Sequence, residues 1–112
     1  MKRGEIWTSS GGGDYAGKPR PVVVLQADVF GDLNSVTICP ITTNPREAPL
    51  FRIAVHPTPE NGLERASMIM ADRITTVRRE RLAEQIGVLD APAMMRLAEA
   101  IAAFLELREQ EP

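Results

Sequence analysis

Two prolines bracket Arg20 in the run Lys18-Pro19-Arg20-Pro21. Proline fixes its own φ and pushes the residue before it into extended geometry, so the guanidinium leaves the chain in a nearly set direction. An arginine presented in that way loses little entropy when it grips an anion, and its planar fork suits a phosphate. The other reading of Arg20 is a loop arginine paired to a carboxylate such as Glu5, and the run alone leaves the two even. Thr42-Thr43-Asn44-Pro45 sets three hydrogen-bonding side chains behind an apolar, β-branched run. From a strand end they can aim at a ligand, or they can satisfy the backbone of a turn. Between Ser67 and Thr76, the side chains of Ser67, Arg73, Thr75 and Thr76 bring hydroxyls and a cation into apolar surroundings. A period of two puts Arg73, Thr75 and Val77 on one face and Thr76 on the other. Cations and hydroxyls without a metal-ligand cluster suit the handling of phosphate.

Other chemistries lack their residues. One cysteine, Cys39, and one histidine, His56, do not make four zinc ligands. Cys39 lies in an apolar stretch and has no partner for an intrachain disulfide, which fits a reducing compartment. There is no Walker loop, no dinucleotide-binding glycine pattern, no H-E-x-x-H and no Gly-x-Ser-x-Gly elbow. Gly11-Gly12-Gly13 has no Lys-Ser/Thr pair behind it and reads as a mobile loop. His56, beside Pro57 and without a visible orienting partner, reads as a partly buried structural histidine.

The 13 basic and 15 acidic residues give a net charge of −2, which argues against a protein that coats nucleic acid by bulk attraction. The excess acid is a tail property, since residues 90 to 112 hold two basic and five acidic side chains. Within the near-neutral body, Lys18, Arg20, Arg73, Arg78, Arg79 and Arg81 can still converge on one face and bind phosphate locally. Any contact with nucleic acid is then short and focused.

The elements that must position these residues read as strands first and one helix last. Residues 3 to 8 form a bulky strand, closed by the Ser9-Ser10-Gly11-Gly12-Gly13-Asp14 loop. Val22-Val23-Val24-Leu25 is apolar throughout and reads as a central strand buried on both faces. Val36 to Ile41 is a third strand whose Pro40 lacks a ladder donor, which places that end at an edge or a bulge. Leu50 to His56 alternates as a half-exposed strand, and Pro57 to Gly62 makes a loop. Ser67 to Ala71 and Arg73 to Val77 read as two strands or one strand kinked at Asp72. Arg78 to Arg81 is a solvated turn, and Leu82 to Leu89 a strand because Gly87 suits a helix interior poorly. Asp90 as N-cap and Pro92 in the first turn open an amphipathic helix over 91 to 107. With 112 residues, short strands, turn signals and no long linker, residues 1 to 112 make one small barrel-like domain, with no apolar run of membrane-spanning length.

In order and spacing, Arg3-Gly4-Glu5-Ile6-Trp7, then Lys18-Pro19-Arg20-Pro21 leading into Val22-Val23-Val24-Leu25-Gln26, Pro40-Ile41-Thr42-Thr43, and Asp72-Arg73-Ile74-Thr75-Thr76-Val77 with Arg81-Leu82 resemble the MazF/PemK family of toxin endoribonucleases. The resemblance runs over nearly the whole chain. It implies a mainly β chain with a C-terminal helix, an SH3-like β-barrel, and a symmetric homodimer. It also implies metal-independent, cofactor-free cleavage of single-stranded RNA at short sequences in the cytoplasm. Arg20 and Thr42 map to the surroundings of the scissile phosphate, and Arg73 to the RNA site of some members. Lys18, Thr43, Thr75 and Thr76 are expected beside them as substrate contacts. Where some members close the later stretch with an aspartate, this chain has Thr76, and a histidine of the first loop is replaced near Asp14. The partner implied is an acidic, partly disordered antitoxin lying across the groove, through which alone DNA is reached. The other reading is a toxin of the CcdB type, which resembles the same barrel but binds and poisons DNA gyrase without cleaving RNA. An RNA-binding barrel without activity fits less well, because Trp7, Tyr15, Phe30, Phe51 and Phe104 are scattered and form no stacking pair.

Overall fold

Seven strands and one helix follow one another along the residues that the computed structural model describes, 1–10, 19–44 and 52–107. Strands β1 (Glu5–Ser9), β2 (Arg20–Val24), β3 (Ser35–Thr42), β4 (Arg52–Val55), β5 (Ser67–Met70), β6 (Thr75–Arg78) and β7 (Leu82–Val88) form one antiparallel sheet, and helix α1 (Ala91–Phe104) follows them. The strand order is β4-β5-β3-β2-β1-β7, with β6 paired to the first half of β3. Lys18, the Gly11-Gly12-Gly13 run, Pro45, Leu50 and Phe51 lie outside the described residues.

The apolar run of β2 is buried on both faces, as its composition requires. Val23 joins Ile6, Cys39, Ile69 and Leu97 in the larger core, which α1 covers with Ala93 and Leu97. Val22 and Val24 point the other way and meet Val36, Ile38 and Leu82 in a second core. Alternation along one strand therefore serves two apolar layers.

Ser67 to Val77 is not one kinked strand. Ala71 N donates to Ile69 O at 3.2 Å and Arg73 N to Met70 O at 3.0 Å, which makes a turn between β5 and β6. The two strands take different stretches of the same edge of β3: Ile41 and Thr42 pair with β5, while Ser35 through Ile38 pair with β6. Cys39 and Pro40 fall in the fork. This corrects the expectation for Pro40, which lies inside the sheet, facing Val22 across β2. Leu25 N bonds Thr37 O at 2.9 Å. Antiparallel alternation then makes the Val22 and Pro40 pair a non-hydrogen-bonded one and turns the proline nitrogen toward the fork.

Helix α1 starts where expected, with Ala93 N donating to Asp90 Oδ1 at 2.8 Å, but it stops at Phe104 rather than 107. Glu106 takes a positive φ of 56°, Glu106 N reaches Ala103 O at 3.3 Å, and Leu107 N reaches Ala102 O at 2.9 Å. That double closure is a Schellman stop. Two further readings need correction or a reason. His56 is exposed, not partly buried, and its carbonyl accepts from Asn61 Nδ2 at 2.9 Å. Gly87 sits in β7 because the backbone of Asn61 presses on it and leaves no room for a side chain. Among the described residues, no helix is long and apolar enough to cross a membrane.

Candidate active site

The fork in β3 opens a cavity of about 290 Å³. Its floor is the second core, through Val22, Ile38 and Val77, and its rim is polar. Arg20 enters from the start of β2, Arg73 from the β5–β6 turn, Thr75 from β6, and Arg81 from the short turn of 3-10 helix at Arg79–Arg81. Ser9 and Ser10 close it from the end of β1. Strand pairing explains the meeting: Ser9 faces Arg20 across β2 and Leu82 across β7, and Ser10 N donates to Arg81 O at 3.1 Å. The three guanidinium side chains thus line one small space with an apolar floor. All three residues are exposed, so their charges reach an incoming anion at the rim.

Thr42 sits at the end of β3, 2% exposed, with its Oγ1 accepting from Asn44 N at 3.1 Å. The antiparallel pairing of β2 with β3 sets the start of β2, where Arg20 lies, at the same end of the sheet as Thr42 at the end of β3. Thr43, the next residue, is exposed and lines a second, wider cavity of about 600 Å³ with Glu64, Arg65 and Ser67. Arg20 lines both cavities and stands between them. Glu5 Oε1 accepts a hydrogen bond from Trp7 Nε1 at 2.9 Å.

The sheet therefore gathers Arg20, Arg73 and Thr75 around one cavity, with Thr43 around its neighbour and Thr42 buried beside Arg20's strand. Thr76 is set apart: it faces away from Thr75, and its Oγ1 lies 2.8 Å from Thr37 Oγ1. Lys18 is outside the described residues. Ser9, Ser10 and, in the second cavity, Glu64 and Arg65 carry no local sequence signal, because the pairing of β1 with its neighbours brings in the serines and the bend before β5 brings in the other two. Arg81 is one of the cations whose convergence the charge distribution allows; Arg78 and Arg79 line a different cavity. Behind the site, burial pushes the Cys39 thiol up to about 12, with the Asp72 carboxylate adding to the effect. Among the described residues, no three His, Cys, Asp or Glu side chains are grouped to hold a metal ion.

Known proteins agree with this architecture. The family model of the PemK-like, MazF-like toxin of type II toxin-antitoxin systems matches residues 2–105. A probable endoribonuclease MazF of Mycolicibacterium smegmatis is 45% identical over 105 residues, covering 94% of this chain and 96% of the relative. Endoribonuclease EndoA of Bacillus subtilis is 31% identical over 111 residues, 96% of each chain. Among solved structures, the Mycobacterium tuberculosis toxin MazF-mt6 superposes with a TM-score of 0.77 at 33% identity, covering 94% of this chain and 99% of that one. A fold of seven antiparallel strands with a terminal helix, a family match over nearly the whole length and this degree of identity lead to one conclusion: the chain belongs to the PemK-like, MazF-like toxin family of type II toxin-antitoxin systems.

Proposed function

We propose that this chain is a toxin endoribonuclease that cleaves single-stranded RNA at the cavity between Arg20 and Arg73. The observation that carries this reading is the meeting of Arg20, Arg73 and Arg81 with Ser9, Ser10 and Thr75 around one space, in a chain of net charge −2. The curated relatives are named as endoribonucleases, which supports the same activity.

RNA carries its own nucleophile. An enzyme that holds the 2'-hydroxyl in line with the leaving 5'-oxygen and neutralises charge on the non-bridging oxygens has supplied most of what the reaction requires. Arg20, between the two cavities, takes the scissile phosphate and stabilises the charge that grows on it. The Thr42 hydroxyl accepts from the Asn44 amide and keeps its own proton to offer toward a non-bridging oxygen or the 2'-oxygen. Arg73 and Thr75 position the nucleotide in the smaller cavity, with Lys18 and Thr43 as further contacts. Thr76, turned to Thr37, buttresses the β3–β6 pair. The 2'-oxygen gives up its proton as it bonds to phosphorus, the bond to the 5'-oxygen breaks, and the 5'-oxygen takes up a proton, which leaves a 2',3'-cyclic phosphate and a 5'-hydroxyl without a metal.

The protein works in this reading as a symmetric homodimer in the cytoplasm. Its inhibitor is an acidic antitoxin that crosses the groove and engages Lys18, Arg20 and Arg73. A fold neighbour of mycobacterial origin was solved in complex with its cognate antitoxin. The test is incubation with a mixed RNA pool in EDTA, followed by mapping of the new ends. Cleavage at short sequences with cyclic-phosphate ends is expected, and Arg20→Ala should slow it about a hundredfold, from ~3 kcal/mol of lost transition-state stabilisation. A folded Arg20→Ala variant that cleaves like the parent refutes the assignment; gyrase inhibition without RNA cleavage returns the CcdB-type reading.

A further inference from the structure

The arginines of the 73–81 segment divide between two places. Arg73 and Arg81 line the cleavage cavity, while Arg78 and Arg79 line a separate, open cavity of about 640 Å³ with Asn34, Ser35 and Glu80. The second place is held firmly by its backbone: Arg78 pairs with Ser35 across β3 and β6, and Arg79 N donates to Asn34 O at 2.9 Å. Its side chains are held loosely. Arg78 Nη1 and Glu80 Oε1 are 3.6 Å apart, but both side chains are at least 75% exposed. An ion pair so hydrated contributes ~0–1 kcal/mol and yields readily to a better anion.

The two places are joined by β6 and the turn after it. From Thr75 to Arg78 is three strand residues, about 10 Å at ~3.3 Å each. An RNA chain whose scissile phosphate rests at Arg20 and Arg73 has flanking nucleotides on either side, and this edge is within reach of one flank. We propose that Arg78 and Arg79, with the Asn34 amide and the Ser35 hydroxyl, form a second anion site that binds backbone phosphates of the RNA outside the cleaved sequence. The inference rests on the endoribonuclease reading and extends it to the length of the RNA footprint.

The lining of this cavity favours nucleic acid over a polypeptide partner. No aliphatic or aromatic side chain is among its residues. A protein segment that orders on a surface needs buried apolar anchors, whereas a phosphodiester needs only cations and hydrogen-bond donors. The same lining offers no ring on which a base can stack, so the site adds affinity without reading sequence.

The test uses two RNAs that contain the cleaved sequence with a 2'-deoxy substitution at the reacting nucleotide, one minimal and one extended by several nucleotides on both sides. Binding is followed by fluorescence anisotropy between 50 and 200 mM salt. Single-stranded contacts contribute ~0.7 to the log-log salt slope per phosphate. The Arg78→Ala, Arg79→Ala double variant should therefore lose about 1.4 from its slope on the long RNA, a roughly sevenfold smaller change over that salt range. Its slope on the minimal RNA should match the parent's, and Arg78→Lys, Arg79→Lys should restore the slope on the long one. An unchanged slope on the long RNA overturns the proposal, and so does an equal loss on both RNAs. A variant that loses affinity for the antitoxin alone also overturns it and makes the patch a protein dock. If the parent itself neither binds nor cleaves RNA, the endoribonuclease reading has failed; if the parent cleaves and the slope is unmoved, only the second site has.

Discussion

Asp72→Ala should be among the most damaging single substitutions in this protein, and more damaging than removal of its partner. Arg52 Nη1 lies 3.3 Å from Asp72 Oδ1, with the arginine side chain 4% exposed and the aspartate 23%. Arg52 Nε, Arg52 Nη1 and Asp72 Oδ1 are buried without a hydrogen-bond partner, so the attraction between the charges is what offsets their lost hydration. Without Asp72 the guanidinium stays buried and uncompensated, and such a break costs about 3–5 kcal/mol. Arg52→Met keeps the stem and leaves the carboxylate, which water reaches in part; about 1–3 kcal/mol is expected. The Arg52→Met, Asp72→Ala double variant should be less damaged than Asp72→Ala alone, since no charge is left to bury. Urea unfolding at fixed protein concentration measures all three, and with m of ~1.5 kcal/mol/M the Asp72→Ala midpoint should fall by ~2–3 M. An Asp72→Ala loss below about 1 kcal/mol, or one smaller than that of Arg52→Met, refutes the reasoning. Because Asp72 directly precedes Arg73 in the turn that lines the cavity at Arg20, the pair also ties β4 to that cavity.

Three further outcomes follow from single contacts. Thr42→Val keeps the buried volume but removes the hydroxyl, and should lower cleavage by about 10–100-fold, with ~1 kcal/mol of stability lost at the Asn44 amide; cleavage at the parental rate would remove Thr42 from the mechanism. The Cys39 thiol, raised from 9.0 to about 12, should hold about a thousandfold less thiolate at pH 8 than a free cysteine. Alkylation should then require unfolding, and prompt labelling of the native protein contradicts this. The unfolded thiol releases its proton near its ordinary value while the folded one keeps it, so this group's contribution to stability falls between about pH 9 and pH 12. Glu106→Gly removes the strain of a left-handed residue at the end of α1 and should raise stability by up to ~1 kcal/mol, read as a higher thermal midpoint; a fall contradicts the Schellman reading.

Much of the fold was legible because the signals are local. Three consecutive valines at 22–24 must be shielded on both sides wherever they lie, and two cores supply that shielding. Asp90 and Pro92 mark a helix start by satisfying or lacking the same backbone donors in any context. The far end was less legible because Leu105 and Leu107 keep the apolar character of the helix, while the chain leaves it through the backbone of Glu106.

The residues of this chain by themselves determined the extended backbone around Arg20, through the two rings that flank it, and the alternation that separates Thr75 from Thr76. They determined the chemistry on offer, cations and hydroxyls with a single histidine and a single cysteine. Tertiary structure decided which of these groups meet. Whether Arg81 or Arg79 reaches the cavity depends on the 3-10 turn between β6 and β7, and whether Ser9 stands opposite Arg20 depends on strand register. Pro40 likewise became an opening in place of an edge because β5 and β6 divide one side of β3 between them. Strand periodicity fixes the face of each side chain; it carries no information about which distant strand lies alongside, because that choice is made by the burial of both cores together.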